Sequence, residues 1–156
     1  MIGREEYQHF CDAALDSMAR IVEDLGDERA NRHPALDGAN SPFALLTHCH
    51  GVVTFWVGHV ILGRAAHRDR DAEFAARGPV EPLLHAVREV QRQFAADLLE
   101  VEPASPVRKS PPATVRPMTQ GFVLQHVHTE LAQHLGQMEV IRDLILAAES
   151  GTTTGN

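Results

Sequence analysis

Three side chains that can bind a metal ion stand at helical spacing in the last third of the sequence. His126, Glu130 and His134 follow one another at intervals of four residues, so on a helix they project from successive turns of one side. Imidazole nitrogens and carboxylate oxygens bind divalent transition metals, and bundle cores hold such sites on facing helices. The spacing therefore predicts part of a metal site on one helix.

The apolar residues of the same segment show which side of that helix faces the core. These residues are Val123, Leu124, Val127, Leu131, Leu135, Met138, Ile141 and Ile145. At about 100° per residue, His134 falls inside the stripe, Glu130 lies about 70° from its centre and His126 about 110° away. An unpartnered carboxylate facing a core is energetically unfavourable. Glu130 therefore needs either a metal ion or an arginine, for which Arg142 and Arg64 are the candidates.

A third ligand is expected from an earlier helix that begins at Ser41 and Pro42, an N-cap followed by a proline at the first helical position. His48 lies on the border of its apolar face, whereas His50 projects away from that face and His59 lies further along. His48 is the preferred ligand, and His50 is its nearest alternative. Two histidines and one carboxylate leave coordination positions open, which is typical of a catalytic metal. Zinc is the default ion, and nickel, iron and manganese are alternatives.

Four amphipathic segments position these residues, and no segment reads convincingly as a strand. The helices are predicted over residues 4–25, 42–62, 80–99 and 119–148. A short helical turn is expected near 70–76, and the proline-rich stretch 101–117 is a long loop of the kind that often serves function. We predict one all-α, four-helix bundle over 1–149 with long connecting loops, followed by a disordered tail at 150–156.

Composition limits the classes of partner. The chain has 156 residues, enough for one domain with a real core, and its net charge of −7 argues against nucleic acid or an anionic membrane as partner. Cys11 and Cys49 are interpreted as reduced thiols of a cytoplasmic protein. Residues 1–7 lack a signal-peptide core, and the longest apolar run, 52–62, is interrupted. We expect a small-molecule substrate, with a homodimer as one assembly to be tested.

Three segments resemble the DinB-like superfamily, and most closely its branch with mycothiol-dependent maleylpyruvate isomerase. They are QHVHTELAQHLGQMEVIR at 125–142, SPFALLTH at 41–48 together with Trp56, Gly63 and Arg64, and RDAEF at 70–74. The resemblance runs in order over most of the chain. It implies a DinB-like four-helix bundle whose metal triad corresponds to His48, Glu130 and His134. Many relatives have His at the central position, and the isomerase branch has Glu.

The resemblance also implies an activity. Relatives of this kind are proposed to be thiol S-transferases that use mycothiol, bacillithiol or glutathione. Metal binding lowers the pKa of a coordinated thiol, and the thiolate then attacks an electrophile. The Arg-rich and Ala-rich composition is typical of a high-GC bacterium, where mycothiol is the expected thiol and detoxification the expected purpose.

Four further residues receive roles in this hypothesis. His126 and Arg64 are assigned to catalysis, His126 as a base near the metal and Arg64 as a contact for an acidic substrate group or for the thiol cofactor. Trp56 and Arg142 are assigned to cofactor binding. The competing interpretation makes Trp56 a core residue and each arginine part of a surface ion pair.

Two departures from close relatives keep other functions open. Gln133 and Gln137 flank His134 where many relatives carry the charged pattern Arg-His-x-Gly-His. A metal-binding or small-ligand-binding protein of the stress response, without catalysis, is therefore the alternative function. A structural helical dimer with a degenerate site is the third hypothesis.

Overall fold

The computed structural model describes residues 2–110 and 117–152, with side chains described up to residue 150. This part of the chain forms five α-helices and contains no β-strand. The helices are α1 (Arg4–Ala30), α2 (Pro42–Val53), α3 (Arg70–Phe74), α4 (Val80–Glu100) and α5 (Gln120–Thr152). The predicted all-α bundle is confirmed, with the short α3 as an addition to the four long helices.

The long helices pack around α1 and α2. Each of these two contacts α4 and α5, whereas no Cα of α4 lies within 8 Å of a Cα of α5 among the described residues. The apolar stripes meet at the centre, where Leu15 of α1, Leu45 of α2, Phe94 of α4 and Leu131 of α5 are fully buried. Burial of each such side chain contributes about 1.5–3 kcal/mol, so mutual packing rather than helix propensity stabilises the helices.

Helix α2 begins as predicted and continues beyond its α-helical part. The Ser41 hydroxyl accepts a hydrogen bond of 3.2 Å from the Ala44 amide, with Pro42 at the first helical position. From Thr54 to Ile61 the chain continues as a π-helix, and Gly63 follows at a φ of 78°, a conformation that favours glycine. The predicted helix therefore has the right extent, but its last turns are wider than α-helical turns.

Two helix ends differ from the sequence prediction. Gly26 breaks the helical geometry of α1 with a φ of 67°, yet the chain resumes a further turn to Ala30. That extra turn is fixed by tertiary contacts, because Asp27 accepts a hydrogen bond from the Val80 amide at the start of α4.

Helix α5 continues through Thr152, past the predicted end at 148, and Glu149 pairs with Arg29 at 3.2 Å. The rest of the predicted tail, 153–156, lies outside the described residues.

The loop before α5 is tied down at both of its described ends. The Val107 amide donates to the Met118 carbonyl, and the Gln120 amide donates to the Ser105 carbonyl. The Arg108 amide reaches back to the Val60 carbonyl of the π-helical segment at 3.1 Å. These bonds fix where α5 begins relative to α2. The prolines at 111 and 112 lie outside the described residues.

The segment Pro42–Ile61 is long and apolar enough to cross a membrane by length and composition. This corrects the expectation that no run would reach that length. In the most apolar 18-residue stretch of this segment, 61% of the stretch is buried inside the bundle. A helix that packs on all sides needs apolar residues around its whole circumference, so the core of this fold accounts for its composition.

Candidate metal centre

The three predicted donors meet between α2 and α5. The Glu130 Oε2 atom lies 3.4 Å from His48 Nε2 and 3.6 Å from His134 Nε2, and the three donor atoms lie within 4.8 Å of one another. The His48 side chain is 1% exposed, whereas Glu130 is 25% exposed. The cluster is therefore closed on the α2 side and partly exposed to solvent on the Glu130 side.

The separations between donors suit a small divalent ion. Ligand bonds of about 2.0–2.1 Å at tetrahedral angles place two donor atoms about 3.3–3.4 Å apart. Both separations that involve Glu130 fall within a few tenths of an ångström of that value. The two imidazole nitrogens, which lie within 4.8 Å, would be drawn closer by such an ion. The nitrogen and oxygen donors fit zinc, and they also fit nickel, iron and manganese.

Glu130 has no arginine partner among the described residues. Arg142 pairs with its neighbour Asp143 at 2.8 Å. Arg64 makes a bidentate pair with Asp97 of α4, at 2.7 Å and 2.5 Å. Since both candidate arginines are engaged elsewhere, the charged side chain that Glu130 would need is missing. A divalent cation bound between the three donors would supply that charge.

His48 is oriented from the side opposite Glu130. Its Nδ1 atom lies 2.9 Å from Glu73 Oε2, and the Phe74 ring stacks on the imidazole with centroids 4.2 Å apart. Burial lowers the pKa of His48, and the hydrogen bonds to Glu73 and Glu130 act against that shift. Burial raises the pKa of Glu73, but Arg68 and His48 outweigh it and hold that pKa below its usual value. An ionised Glu73 can accept a hydrogen bond from an Nδ1–H of His48, and in that tautomer the Nε2 lone pair faces Glu130.

His134 is oriented by a residue that departs from the family pattern. The side-chain oxygen of Gln137 lies 3.0 Å from His134 Nδ1. An amide oxygen can accept a hydrogen bond from the Nδ1–H of His134, and in that tautomer the Nε2 lone pair faces Glu130. The neutral glutamine therefore holds its histidine without adding a charge. This contact could have been predicted, because Gln137 lies three residues after His134, which is a contact spacing on a helix.

Trp56 and His126 lie next to each other. Their ring centroids are 4.5 Å apart and the rings are inclined at 77°. His126 precedes Glu130 by one turn, so this pair borders the donor cluster on the side towards the start of α5. Neither residue belongs to the group of three donors, and the roles assigned to them stay predictions.

The two arginines assigned to the site lie in ion pairs. Arg64 follows the π-helical segment and links it to α4 through Asp97, close to Gly58, where an added Cβ would lie 2.6 Å from the guanidinium. Arg142 lies two turns after His134 on α5 and pairs with Asp143. The ion-pair interpretation thus describes their observed contacts, and their roles toward substrate or cofactor stay predictions.

The alternative histidine ligands lie outside the donor group. His50 is partly buried and faces a cavity of about 360 Å³ that is also lined by Arg68 and Glu73. Burial lowers the pKa of His50. The His59 ring bonds the Arg64 carbonyl at 2.6 Å and stacks on Phe55. Among these histidines, only His48 reaches Glu130.

A larger cavity lies elsewhere in the bundle. It measures about 570 Å³ and is bounded by the first turn of α1, the end of α4 and the start of α5. Its walls are mostly apolar, and the Tyr7 hydroxyl at its edge is bonded to the Leu124 carbonyl. None of the three donors lines it. Size alone would favour this cavity, but the converging donors identify the metal centre as the candidate site.

The fold and the donor group together define a helical bundle with an open two-histidine, one-carboxylate site. The chain belongs to the mycothiol-S-transferase family, whose model matches residues 6–147. This match is consistent with the predicted membership of the DinB-like superfamily and with the predicted link to mycothiol.

A solved structure gives independent support for the fold. It is described as the conserved protein of locus from Enterococcus faecalis, and it superposes with a TM-score of 0.73. The alignment covers 94% of this chain and 99% of that chain at 15% identity, so the likeness concerns the fold alone. No curated protein matches the chain significantly.

Proposed function

We propose that this protein is a metal-dependent thiol S-transferase that holds one divalent ion through His48, Glu130 and His134 and uses mycothiol as cosubstrate. Family membership supports the thiol. The convergence of a carboxylate and two imidazoles, without an arginine partner for the carboxylate among the described residues, supports the ion. That convergence is the observation that carries the proposal. We further propose zinc as the ion and the cytoplasm as the location.

The donor set determines what chemistry the site can support. A divalent ion held by three protein ligands lowers the pKa of a coordinated thiol, so that the thiolate is available at neutral pH. The thiolate sulfur would donate an electron pair to an electrophilic carbon of a small substrate. The bonding pair displaced at that carbon would depart with a leaving group, or would move onto an adjacent electron-withdrawing atom that then takes up the proton released by the thiol. Two neutral imidazoles and one carboxylate cancel only one unit of the ion's charge, which keeps the site attractive to an anionic sulfur.

The surrounding residues supply the remaining functions of a transferase. We propose that His126 accepts the thiol proton, because it is partly exposed and lies one turn from Glu130. Trp56 holds that imidazole by its edge contact and presents an apolar wall to the substrate. Glu73 and Gln137 fix the two ligand imidazoles from outside.

Metal analysis and a conjugation assay test the proposal together. The purified chain, refolded with zinc, should hold about one equivalent of metal and should consume mycothiol in the presence of an electrophile. His48→Ala should lose both properties. His85→Ala is the matched control, because His85 is an exposed histidine of α4 that pairs with Glu89 and does not belong to the donor group. Only trace metal in the wild type, or conjugation that His48→Ala leaves unchanged, would refute the proposal.

A metal-binding protein without turnover is the second candidate. It is favoured by the uncharged residues Gln133 and Gln137 around His134, where a charged substrate-binding pattern is absent. It predicts stoichiometric metal without consumption of any thiol across a panel of electrophiles. The same purified protein distinguishes the two candidates.

A further inference from the structure

We propose that Glu73 is a positioning residue of the metal centre, and that α3 serves to bring its carboxylate onto His48. The inference rests on the proposed function, since it concerns a histidine that is a ligand only if the ion binds there. Glu73 itself is not one of the three donors. It lies on the opposite side of the His48 ring and acts through that ring.

The two ring nitrogens of His48 have different partners. Nδ1 lies 2.9 Å from Glu73, and Nε2 lies 3.4 Å from Glu130. The side chains of His48 and Glu73 are 1% and 12% exposed, so water competes little for the hydrogen bond between them. A carboxylate that accepts the outer N–H of a ligand histidine fixes its tautomer and raises its basicity. The arrangement therefore prepares Nε2 to bind a metal.

Glu73 is itself held by a second residue. Arg68 donates to both oxygens of Glu73, with its Nε 2.8 Å from Oε1 and its Nη2 2.8 Å from Oε2. Such bidentate pairs are geometrically specific and keep a carboxylate ionised. The Arg68 guanidinium also lies 5.4 Å from the centre of the Phe55 ring. The position of the carboxylate is thus set by the segment before α3 and by the π-helical segment, as well as by His48.

The approach of Glu73 to α2 depends on a glycine. A Cβ added at Gly51 would lie 2.1 Å from Glu73 Oε1 and 2.6 Å from its carboxyl carbon. Gly51 lies one turn after His48 on α2, so the glycine makes room for the carboxylate beside the ligand. Phe74 then stacks on the same imidazole. Two consecutive residues of α3 therefore fix both the edge and the face of His48.

Zinc affinity tests the positioning role directly. We would measure it by competition with a chromophoric chelator in the wild type, Glu73→Gln and Glu73→Ala. The glutamine variant should bind about tenfold more weakly and the alanine variant up to about 100-fold more weakly. The control is Asp71→Asn, which removes the same charge from α3 at an exposed residue. It should bind within about twofold of the wild type, because it does not touch His48.

A spectroscopic measurement separates positioning from a general effect on folding. Long-range proton–nitrogen NMR of the metal-free wild type should show His48 as the Nδ1–H tautomer. Glu73→Ala should lose this fixed tautomer, while its helical circular dichroism stays that of the wild type. Gly51→Ala provides a second route, because it displaces the carboxylate without removing it. Gly51→Ala should therefore also weaken zinc binding, as Glu73→Ala does.

The outcomes distinguish this inference from the proposed function. Zinc binding by the wild type, with unchanged affinity and an unchanged His48 tautomer in Glu73→Ala and Gly51→Ala, would overturn the inference alone. A wild type that binds no metal would overturn the proposed function, and the positioning role with it. Weaker binding in both variants with an intact Asp71→Asn control is the result we expect.

Discussion

Trp56 of the π-helical segment meets His126 of α5 edge to face, with ring centroids 4.5 Å apart. His48 lies eight residues before Trp56, on α2, and His134 lies eight residues after His126, on α5. The rings of His48 and His134 are also in contact, with centroids 4.8 Å apart. The two contacts show that α2 and α5 run antiparallel. They also place the Trp56–His126 pair on the side of the donor cluster that faces the start of α5.

From this arrangement we predict that loss of the His126 imidazole lowers the rate of turnover without changing metal binding. Loss of a general base typically lowers a rate by about 100-fold or more, so His126→Gln should show that loss in mycothiol conjugation with a full complement of metal. Trp56→Leu should reduce the rate less, because the proposed base stays in place while the aromatic contact that holds it is lost and the apolar wall becomes smaller. Steady-state kinetics and metal analysis on the same samples provide the check.

His9→Gln is a suitable control for His126→Gln, since His9 is exposed at the start of α1. Its kinetics should equal those of the wild type. If His126→Gln turned over at the wild-type rate, the proton would have another acceptor and His126 would be only a neighbour of the site.

Metal removal should lower the stability of the bundle. A ligand present at about 1,000 times its Kd adds about 4 kcal/mol to the free energy of unfolding, which corresponds to about 10 °C in Tm for a chain of this size. Chelation should therefore lower Tm by about that amount, and added zinc should restore it. Differential scanning calorimetry of the wild type and Glu130→Gln measures the effect.

Glu130→Gln should show a small response to chelator or zinc, because it has lost the anionic ligand. The exposed Glu81→Gln variant keeps the same net charge as Glu130→Gln and should respond like the wild type. Equal responses in the two variants would mean that zinc stabilises the chain through some other site.

The Arg64–Asp97 pair should matter more for stability than for binding. Asp97 is 4% exposed at its side chain, so Arg64→Met would leave a buried carboxylate with Gln93 as its remaining side-chain partner. Because Arg64 is itself 43% exposed, the loss is smaller than for a fully buried pair. We expect Arg64→Met to lower the free energy of unfolding, measured in urea, by about 2 kcal/mol.

The double variant Arg64→Met/Asp97→Leu distinguishes the structural role from the predicted catalytic one. It removes both charges and should recover much of the lost stability. If Arg64 only links the π-helical segment to α4, the double variant should keep the wild-type KM for the substrates. A raised KM with recovered stability would instead support the assignment of Arg64 to an acidic substrate group.

Long amphipathic helices and the inward direction of His134 could be predicted from the sequence, because both depend on a periodicity that repeats over many turns. The start of α2 could be predicted equally well, since Ser41 and Pro42 form a local N-cap and first-turn pattern. The selection of His48 over His50 gained from the resemblance, because the relative height of two helices is a tertiary property. In the folded chain His48, and not His50, lies next to Glu130.

Other features could not be predicted from the periodicity of the sequence. Glu73 lies 25 residues from His48 on a helix of five residues, too short to show a hydrophobic period. The wide turns of Thr54–Ile61 look like an ordinary helix in sequence. Gly26 suggested a helix end, but a hydrogen bond from Val80 to Asp27, distant in sequence, stabilises the further turn. Tertiary contacts decided each of these features.

The protein's own cysteines should not supply the nucleophile. Cys11 and Cys49 are fully buried, and burial raises the pKa of Cys11 to about 12 and that of Cys49 well above its usual value. Both thiols therefore stay protonated and shielded at pH 8. We expect iodoacetamide to modify neither in the folded chain and both in urea, as intact-mass spectrometry would show.

The variant Cys11→Ala/Cys49→Ala carries this expectation to the reaction itself. Each change removes a small buried side chain and should lower the free energy of unfolding by about 1 kcal/mol, while mycothiol conjugation continues at the wild-type rate. Retained turnover would mean that the attacking sulfur comes from the cosubstrate. A folded double variant that binds zinc yet fails to turn over would instead place the nucleophile on the chain, most directly at Cys49 beside His48.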